Sequence, residues 1–175
     1  MVPDLICLTE HWLREEEVDS IVLNHFKMVS CYSRKSMIHG GSCILIREDI
    51  QDFHEVDEVK QCSIEGQLEV SCVANKKERM LILSIYRTCL GSFDIFIQQL
   101  EAILNFISVK YLDFKTTICG DFNVNLLLES NDKVQFMDIL HNFNFEQRIF
   151  QPTRVTKSTA SLLDNIFTNF DQYVQ

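Results

Sequence analysis

Two strand-like segments separated by a short polar stretch constrain the fold of this chain most. Residues 61–75, QCSIEGQLEVSCVAN, alternate apolar and polar side chains, and residues 80–87 read MLILSIYR. The polar sequence NKKER at 75–79 lies where the two segments meet. Because a tight polar turn between two such runs is typical of a β-hairpin, we expect an antiparallel pair here. A sheet that contains this pair cannot be wholly parallel.

An amphipathic helix is expected directly after the hairpin. Ser92 is a suitable N-cap residue, and apolar residues then recur with helical spacing as far as Ile107. This pattern predicts a helix of about five turns that lies on a sheet. A second amphipathic helix is expected over 131–143. Its inward-facing residues are expected to be Val134, Met137 or Ile139, and Leu140.

Short apolar runs on both sides of these elements predict further strands. They occupy residues 4–10, 26–33, 40–48, 115–123 and 161–169, and a short helix is expected over 15–23. Strands that outnumber helices, with a hairpin in the middle, favour an α/β fold in which mixed or antiparallel sheets form a layered sandwich. At 175 residues we expect one domain, residues 1–175.

Charge and cysteine content narrow the function. The net charge of −9 argues against strong non-specific DNA binding by this chain alone, although a bound cation could dominate the local field. The seven cysteines include no CxxC pair, so we do not expect a zinc cluster. We expect the protein in a reducing compartment. With no signal peptide or membrane-spanning run in the sequence, we expect a soluble intracellular protein that has no membrane partner.

Polar side chains stand at the ends of four predicted strands. Glu10 ends the first strand, and Tyr86 stands near the end of the second strand of the hairpin. Asp121 and Asn123 end the run ICGDFN, and Asp164 lies in SLLDNIF. Strand alternation would place Asp121 and Asn123 on one face and turn Phe122 into the core. Each residue alone could be an ordinary turn, surface or bend residue. Together at one rim, they would form a site for a hard cation and a phosphate.

Five segments, in this order, resemble the exonuclease–endonuclease–phosphatase superfamily, most closely the apurinic-type endonuclease domains of non-LTR retrotransposons. They are PDLICLTEHWL (3–13), GGSCILIRE (40–48), LSIYR (83–87), ICGDFNVN (118–125) and QPTRVTKSTASLLDNIFTN (151–169). The last is typical of the retroelement branch. The resemblance implies a deoxyribonuclease-like four-layer α/β sandwich, incomplete at one or both sheets.

The resemblance also implies an activity and a role for each site residue. The activity would be hydrolysis of a DNA phosphodiester with Mg²⁺ (or Mn²⁺) and no small-molecule cofactor, in a chain that could belong to a longer protein with a reverse transcriptase domain. Glu10 would bind the metal, and Tyr86 would hydrogen-bond the scissile phosphate. Asp121 would align or deprotonate the attacking water. Asn123 would orient the phosphate and that aspartate, and Asp164 would hold a catalytic histidine.

The sequence departs from the family pattern at three places. No strand ending in asparagine precedes the Glu10 strand, no histidine follows Asp164, and Thr88 or Cys89 replaces the usual proline after Arg87. We therefore interpret the chain as shortened at both ends, with exposed sheet edges and impaired cleavage. The alternatives are a catalytically dead remnant, at most a non-catalytic binding module with the same fold, and, more weakly, a phosphatase or deadenylase.

Overall fold

The structure, a computed structural model, describes residues 2–171. This part of the chain contains runs of consecutive strands separated by a few helices. The strands are β1 (Leu5–Thr9), β2 (Phe26–Tyr32), β3 (Ser42–Arg47), β4 (Phe53–Glu55), β5 (Leu68–Asn75), β6 (Met80–Arg87), β7 (Lys115–Asp121), β8 (Glu146–Gln147), β9 (Arg154–Val155), β10 (Ala160–Ser161) and β11 (Asp164–Thr168). The α-helices are α1 (Asp57–Lys60), α2 (Phe93–Lys110) and α3 (Asn131–Asn142). The helix expected over 15–23 is a 3₁₀ helix, Glu15–Ser20.

Two sheets pack face to face. The larger has six strands in the order β4-β5-β6-β7-β11-β8, and the smaller has the order β1-β3-β2. The predicted hairpin is confirmed as the antiparallel pair β5–β6, whereas β6 and β7 are parallel. The larger sheet is therefore mixed, as predicted. Strands β9 and β10 form a separate small hairpin.

Helices α2 and α3 cover the outer face of the larger sheet. Ser92 caps α2 as predicted, since its hydroxyl accepts a hydrogen bond from the backbone N–H of Ile95. The core between helices and sheet contains a cluster of buried aromatic rings. Its members are Phe96, Phe122, Phe136 and Phe167. In the described part of the chain, no α-helix packs extensively on the smaller sheet, so three of the four expected layers are formed.

The prediction that Val134 lies on the inward face of α3 is wrong. This side chain is exposed, and Phe136 and Leu140 are the buried residues, with Met137 and Ile139 partly buried against the core. Residues two apart lie about 200° apart around a helix, so Val134 cannot face the core with Phe136. The larger aromatic ring occupies the core.

A second, smaller core lies between the two sheets. Ile44 and Ile46 of β3 pack against Val73 of β5 and Ile82 of β6. This contact fixes how the end of β1 sits over the ends of β6 and β7, which is where the polar residues predicted from the sequence lie.

Candidate active site

Three of the predicted site residues lie on adjacent strands of the larger sheet. Because β6 and β7 are parallel, their last residues meet at one edge, and the register pairs Tyr86 with Asp121. Strand β11 runs antiparallel to β7 and begins at this edge, so Asp164 pairs with Asp121. The side chains of Tyr86, Asp121 and Asp164 therefore belong to neighbouring positions across three strands.

Glu10 joins this group from the smaller sheet. The Tyr86 hydroxyl donates a hydrogen bond to Glu10 Oε1 at 2.7 Å. The backbone of Glu10 has a left-handed φ of 55°, a conformation that is costly for a residue with a side chain. Its N–H donates to the carbonyl of Gly41 at 2.8 Å, which holds the turn in place. The Glu10–Tyr86 hydrogen bond thus links the two sheets at the site.

Asp121 and Asn123 come together through a turn. We expected a strand to carry both side chains on one face, and this is wrong because β7 ends at Asp121 and Asn123 has a left-handed φ of 49°. The backbone N–H of Asn123 donates to Asp121 Oδ1 at 2.9 Å. Phe122, between them, is buried in the core as predicted. The turn, and not strand alternation, therefore orients the carboxylate.

In its environment, the carboxyl group of Asp121 stays protonated to a higher pH than that of an ordinary aspartate. Burial raises the pKa of Asp121 to about 6, and the negative charges of Asp164 and Glu10 also raise it. The N–H of Asn123 and the cation of Arg154 act in the opposite direction. A carboxylate with a pKa near the working pH is suited to accept a proton from water.

Arg87 braces Asn123 and was not predicted as a site residue. Asn123 Nδ2 donates to the carbonyl of Arg87 at 2.7 Å, and Arg87 Nη1 donates to the carbonyl of Asn123 at 3.1 Å. The guanidinium lies over the rings of Phe93 and Phe96, at 5.4 and 5.5 Å from their centroids. The only sequence signal was its place directly after Tyr86 in LSIYR.

A buried ion pair supports the turn that holds Glu10. Arg34 Nε donates to Glu69 Oε1 at 2.5 Å, and the side chains are only 7% and 1% exposed. Glu69 also accepts hydrogen bonds from the N–H groups of Gly41 at 2.5 Å and Gly66 at 3.0 Å. Glu69 occupies a polar position of an alternating strand, and nothing in that pattern indicates a buried ion pair.

Thr153 positions the start of β11. Its hydroxyl oxygen accepts hydrogen bonds from the backbone N–H groups of Leu163 and Asp164, both at 3.2 Å. Asn125 accepts from the N–H of Leu162 at 3.0 Å and ties the same segment to the turn after β7. Both residues lie in segments that carry the family resemblance, but their roles became visible only in the structure.

The donor set fits a hard cation held by few protein oxygens. In residues 2–171, no group of three or more His, Cys, Asp or Glu side chains is arranged to enclose a metal ion. Mg²⁺ commonly binds one or two carboxylates and otherwise water and phosphate, so a cage is not required. The mutual repulsion of Glu10, Asp121 and Asp164 is the feature that a divalent cation would relieve.

No histidine completes the group within the described residues. None of their hydrogen bonds joins a histidine to Asp121 or Asp164. His11, next to Glu10 in sequence, instead has its Nε2 3.0 Å from the carbonyl oxygen of Tyr32. Its Nδ1 accepts from the N–H of Leu13 at 3.0 Å. The imidazole therefore contacts the backbone of the turn after β1 and of the end of β2, and not the carboxylates.

Comparison with solved structures identifies the architecture. The endonuclease domain of TRAS1, a telomere-specific non-LTR retrotransposon, superposes with a TM-score of 0.65 and 12% identity, over 94% of this chain and 71% of that chain. The fold is that of the endonuclease/exonuclease/phosphatase proteins. Such a protein from Bacteroides thetaiotaomicron matches with a TM-score of 0.59 and 12% identity, over 95% of this chain and 69% of that chain.

A further structural match was solved with a nucleic acid. It is D. rerio TDP2 complexed with a single-strand DNA product, with a TM-score of 0.57 and 12% identity, over 95% of this chain and 70% of that chain. No protein-family model and no curated protein sequence matches this chain. Among the described residues, no helix is long and apolar enough to cross a membrane.

Proposed function

We propose that this chain is a metal-dependent DNA endonuclease domain of the non-LTR retrotransposon type. The observation that carries the proposal is the continuous group formed by Glu10, Tyr86, Asp121 and Asp164 at one end of the sandwich. Its members come from both sheets and are brought together by the fold. DNA is the proposed partner, with a reverse transcriptase domain in a longer parent protein.

Each residue has a chemical task in this proposal. Asp121 accepts a proton from the attacking water, for which its raised pKa suits it. The bond from the water oxygen to phosphorus forms as the bond to the leaving sugar oxygen breaks, and that oxygen takes a proton from solvent. Asn123, fixed by Arg87, orients the phosphate, and the hydroxyl of Tyr86 turns from Glu10 to a phosphate oxygen. Glu10 would hold Mg²⁺ or Mn²⁺. The metal, when bound, supplies positive charge against the negative charge that develops on the phosphoryl oxygens.

Asp164 has a positioning role next to Asp121. Its negative charge contributes to the raised pKa of that carboxyl, and the hydroxyl of Thr153 holds its backbone. With no imidazole hydrogen-bonded to Asp164 in the described residues, we expect slow cleavage, because groups that act as a unit lose most of their effect when one is missing. This same observation favours the alternative of a non-catalytic binding module with the same fold.

Nicking of supercoiled plasmid tests the proposal. The purified chain is assayed with Mg²⁺, with Mn²⁺ and with EDTA, beside Asp121→Ala and the control Asp138→Asn, which alters an exposed carboxylate on α3. Nicking that requires the metal, disappears in Asp121→Ala and persists in Asp138→Asn supports an endonuclease. Folded protein that binds DNA without nicking it supports the binding module, and nicking that survives Asp121→Ala contradicts the assigned proton acceptor.

A further inference from the structure

An exposed pair of stacked rings lies next to the candidate active site. Trp12, the single tryptophan of the chain, is 58% exposed. Its ring stacks on that of His39, with centroids 4.3 Å apart and planes at 18°. One face of the indole is therefore covered by the imidazole, and the stacking leaves the other face open. Neither ring belongs to the hydrophobic core.

The backbone holds this pair in a defined position. Trp12 and His39 both have left-handed φ values, 62° and 68°. The N–H of Trp12 donates to the carbonyl of Gly40 at 3.0 Å. The adjacent Gly41 is held by the buried carboxylate of Glu69. Since residues with side chains adopt this conformation only where the surroundings enforce it, the exposed indole is placed by the fold and is not a loose surface side chain.

The stacked pair is adjacent to the proposed reaction centre. Trp12 follows Glu10 by two residues, a span of at most about 7 Å between their Cα atoms. The indole also lines a cavity of about 600 Å³, whose wall is completed by residues 13–17 and 34–39. Trp12 and Glu10 therefore belong to the same turn, and we expect a base held against Trp12 to lie near a phosphate held at Glu10.

The charges around this cavity nearly cancel. Three cations line it, Arg14, Arg34 and Lys35, together with the three glutamates at 15–17. Arg34 is already paired with Glu69, which leaves no excess of positive charge to attract phosphate. The feature that this surface offers to DNA is the flat aromatic face. Base–aromatic stacking needs no particular base and no net charge.

We propose that Trp12, backed by His39, is a stacking platform for one unpaired nucleobase of the DNA substrate, beside the phosphate that is cleaved. This inference rests on the proposed endonuclease function and specifies its substrate as DNA that is single-stranded or locally opened at the site. Trp12 is then a substrate-binding residue, and His39 holds the indole at the correct angle.

Fluorescence of the single tryptophan tests the stacking directly. The chain is titrated in EDTA with a short single-stranded oligonucleotide and with an oligonucleotide of equal length that carries abasic sites throughout. We expect quenching of Trp12 by the first and little by the second, in both the wild-type chain and Asp121→Ala. Equal quenching by the two would show that the backbone alone is bound, and no quenching by either would show no stacking. Both results overturn the platform.

Variants separate the platform from the endonuclease. By anisotropy of a labelled oligonucleotide, Trp12→Ala should bind roughly 5- to 100-fold more weakly, and Trp12→Phe much less so. Leu112→Ala, which removes an exposed apolar side chain at the opposite end of the sheet, should bind normally. The loss should change little between low and high salt, because no charge is removed. Circular dichroism establishes that Trp12→Ala is folded, and unchanged affinity in the folded variant overturns the proposal.

The two proposals fail in different ways. Base-dependent quenching without plasmid nicking would support the platform and contradict the endonuclease. Nicking with equal quenching by normal and abasic oligonucleotides would contradict the platform alone.

Discussion

Removing the negative charge of Glu69 tests whether a buried ion pair holds the turn that carries Glu10 in the candidate active site. Glu69→Gln keeps the size of the side chain and removes the carboxylate that is paired with the guanidinium of Arg34. The Arg34 side chain is only 7% exposed, and its Nη2 atom is buried with no hydrogen-bond partner. Water therefore cannot replace the lost carboxylate oxygen.

The expected cost follows from the number of contacts that Glu69 makes. Its carboxylate accepts from Arg34, Gly41 and Gly66, and the amide of glutamine can replace one acceptor oxygen but not both. Breaking one partner of a buried ion pair costs about 3–5 kcal/mol of the free energy of unfolding. For a chain of this length, that corresponds to a fall in Tm of roughly 6–20 °C.

Urea denaturation followed by circular dichroism measures this cost at pH 7. Glu101→Gln, at an exposed position of α2, is the matched control and should change stability by less than about 0.5 kcal/mol. Adding Arg34→Met to Glu69→Gln should restore at least about 1 kcal/mol, because no uncompensated charge then remains. A cost below about 1 kcal/mol for Glu69→Gln would refute the idea that this pair holds the turn.

Three further predictions concern the strands that form the site. Gly120→Ala should lower stability by about 2–4 kcal/mol in urea denaturation. Gly120 has a φ of 146°, and a Cβ atom there would lie 1.8 Å from the carbonyl oxygen of Ile85. A variant as stable as the wild type would contradict this clash. Burial raises the pKa of Asp121 from 3.8 to about 6, so its ionisation in the folded state should reduce stability as the pH rises from about 4 to about 6. In EDTA at pH 8, Asp121→Asn should therefore be more stable than wild type by about 1–2 kcal/mol after allowance for partial exposure. Equal stability of the wild type at pH 4 and pH 8 would argue against the raised pKa of Asp121. Thr153→Val should lower stability by about 1 kcal/mol in the same assay and should slow nicking, because the N–H groups of Leu163 and Asp164 lose their acceptor. An unchanged nicking rate would show that this hydroxyl does not position β11.

The fold was largely predictable because its signals are local. The polar turn at 75–79 and the alternation around it defined the β5–β6 hairpin, and helical spacing after Ser92 defined α2. Val134 was misplaced because two faces of α3 carry apolar residues, and only the packing of Phe136 against the aromatic cluster selects between them. A choice made by tertiary contacts leaves no trace in periodicity.

Of the candidate site, only the residues at the ends of strands could be predicted from the sequence. Chemistry and order singled out Glu10, Tyr86 and Asp121, and the structure brings them together, while their catalytic roles remain predictions. The residues that support them could not be found in this way. Glu69 looks like an ordinary polar position of a strand, and the mutual hydrogen bonds of Arg87 and Asn123 join residues 36 apart in sequence. Such contacts depend on the folded geometry.

The hydrogen bond between Glu10 and Tyr86 has a consequence for how the protein folds. These residues are 76 positions apart in sequence and belong to different sheets. The β5–β6 hairpin and α2 involve neighbouring segments and can form early, whereas contacts across long loops form slowly because chain entropy must first be lost. The candidate active site should therefore be assembled late in folding. A folding intermediate that retains the hairpin and α2 would have native secondary structure but would lack the Glu10–Tyr86 contact between the sheets.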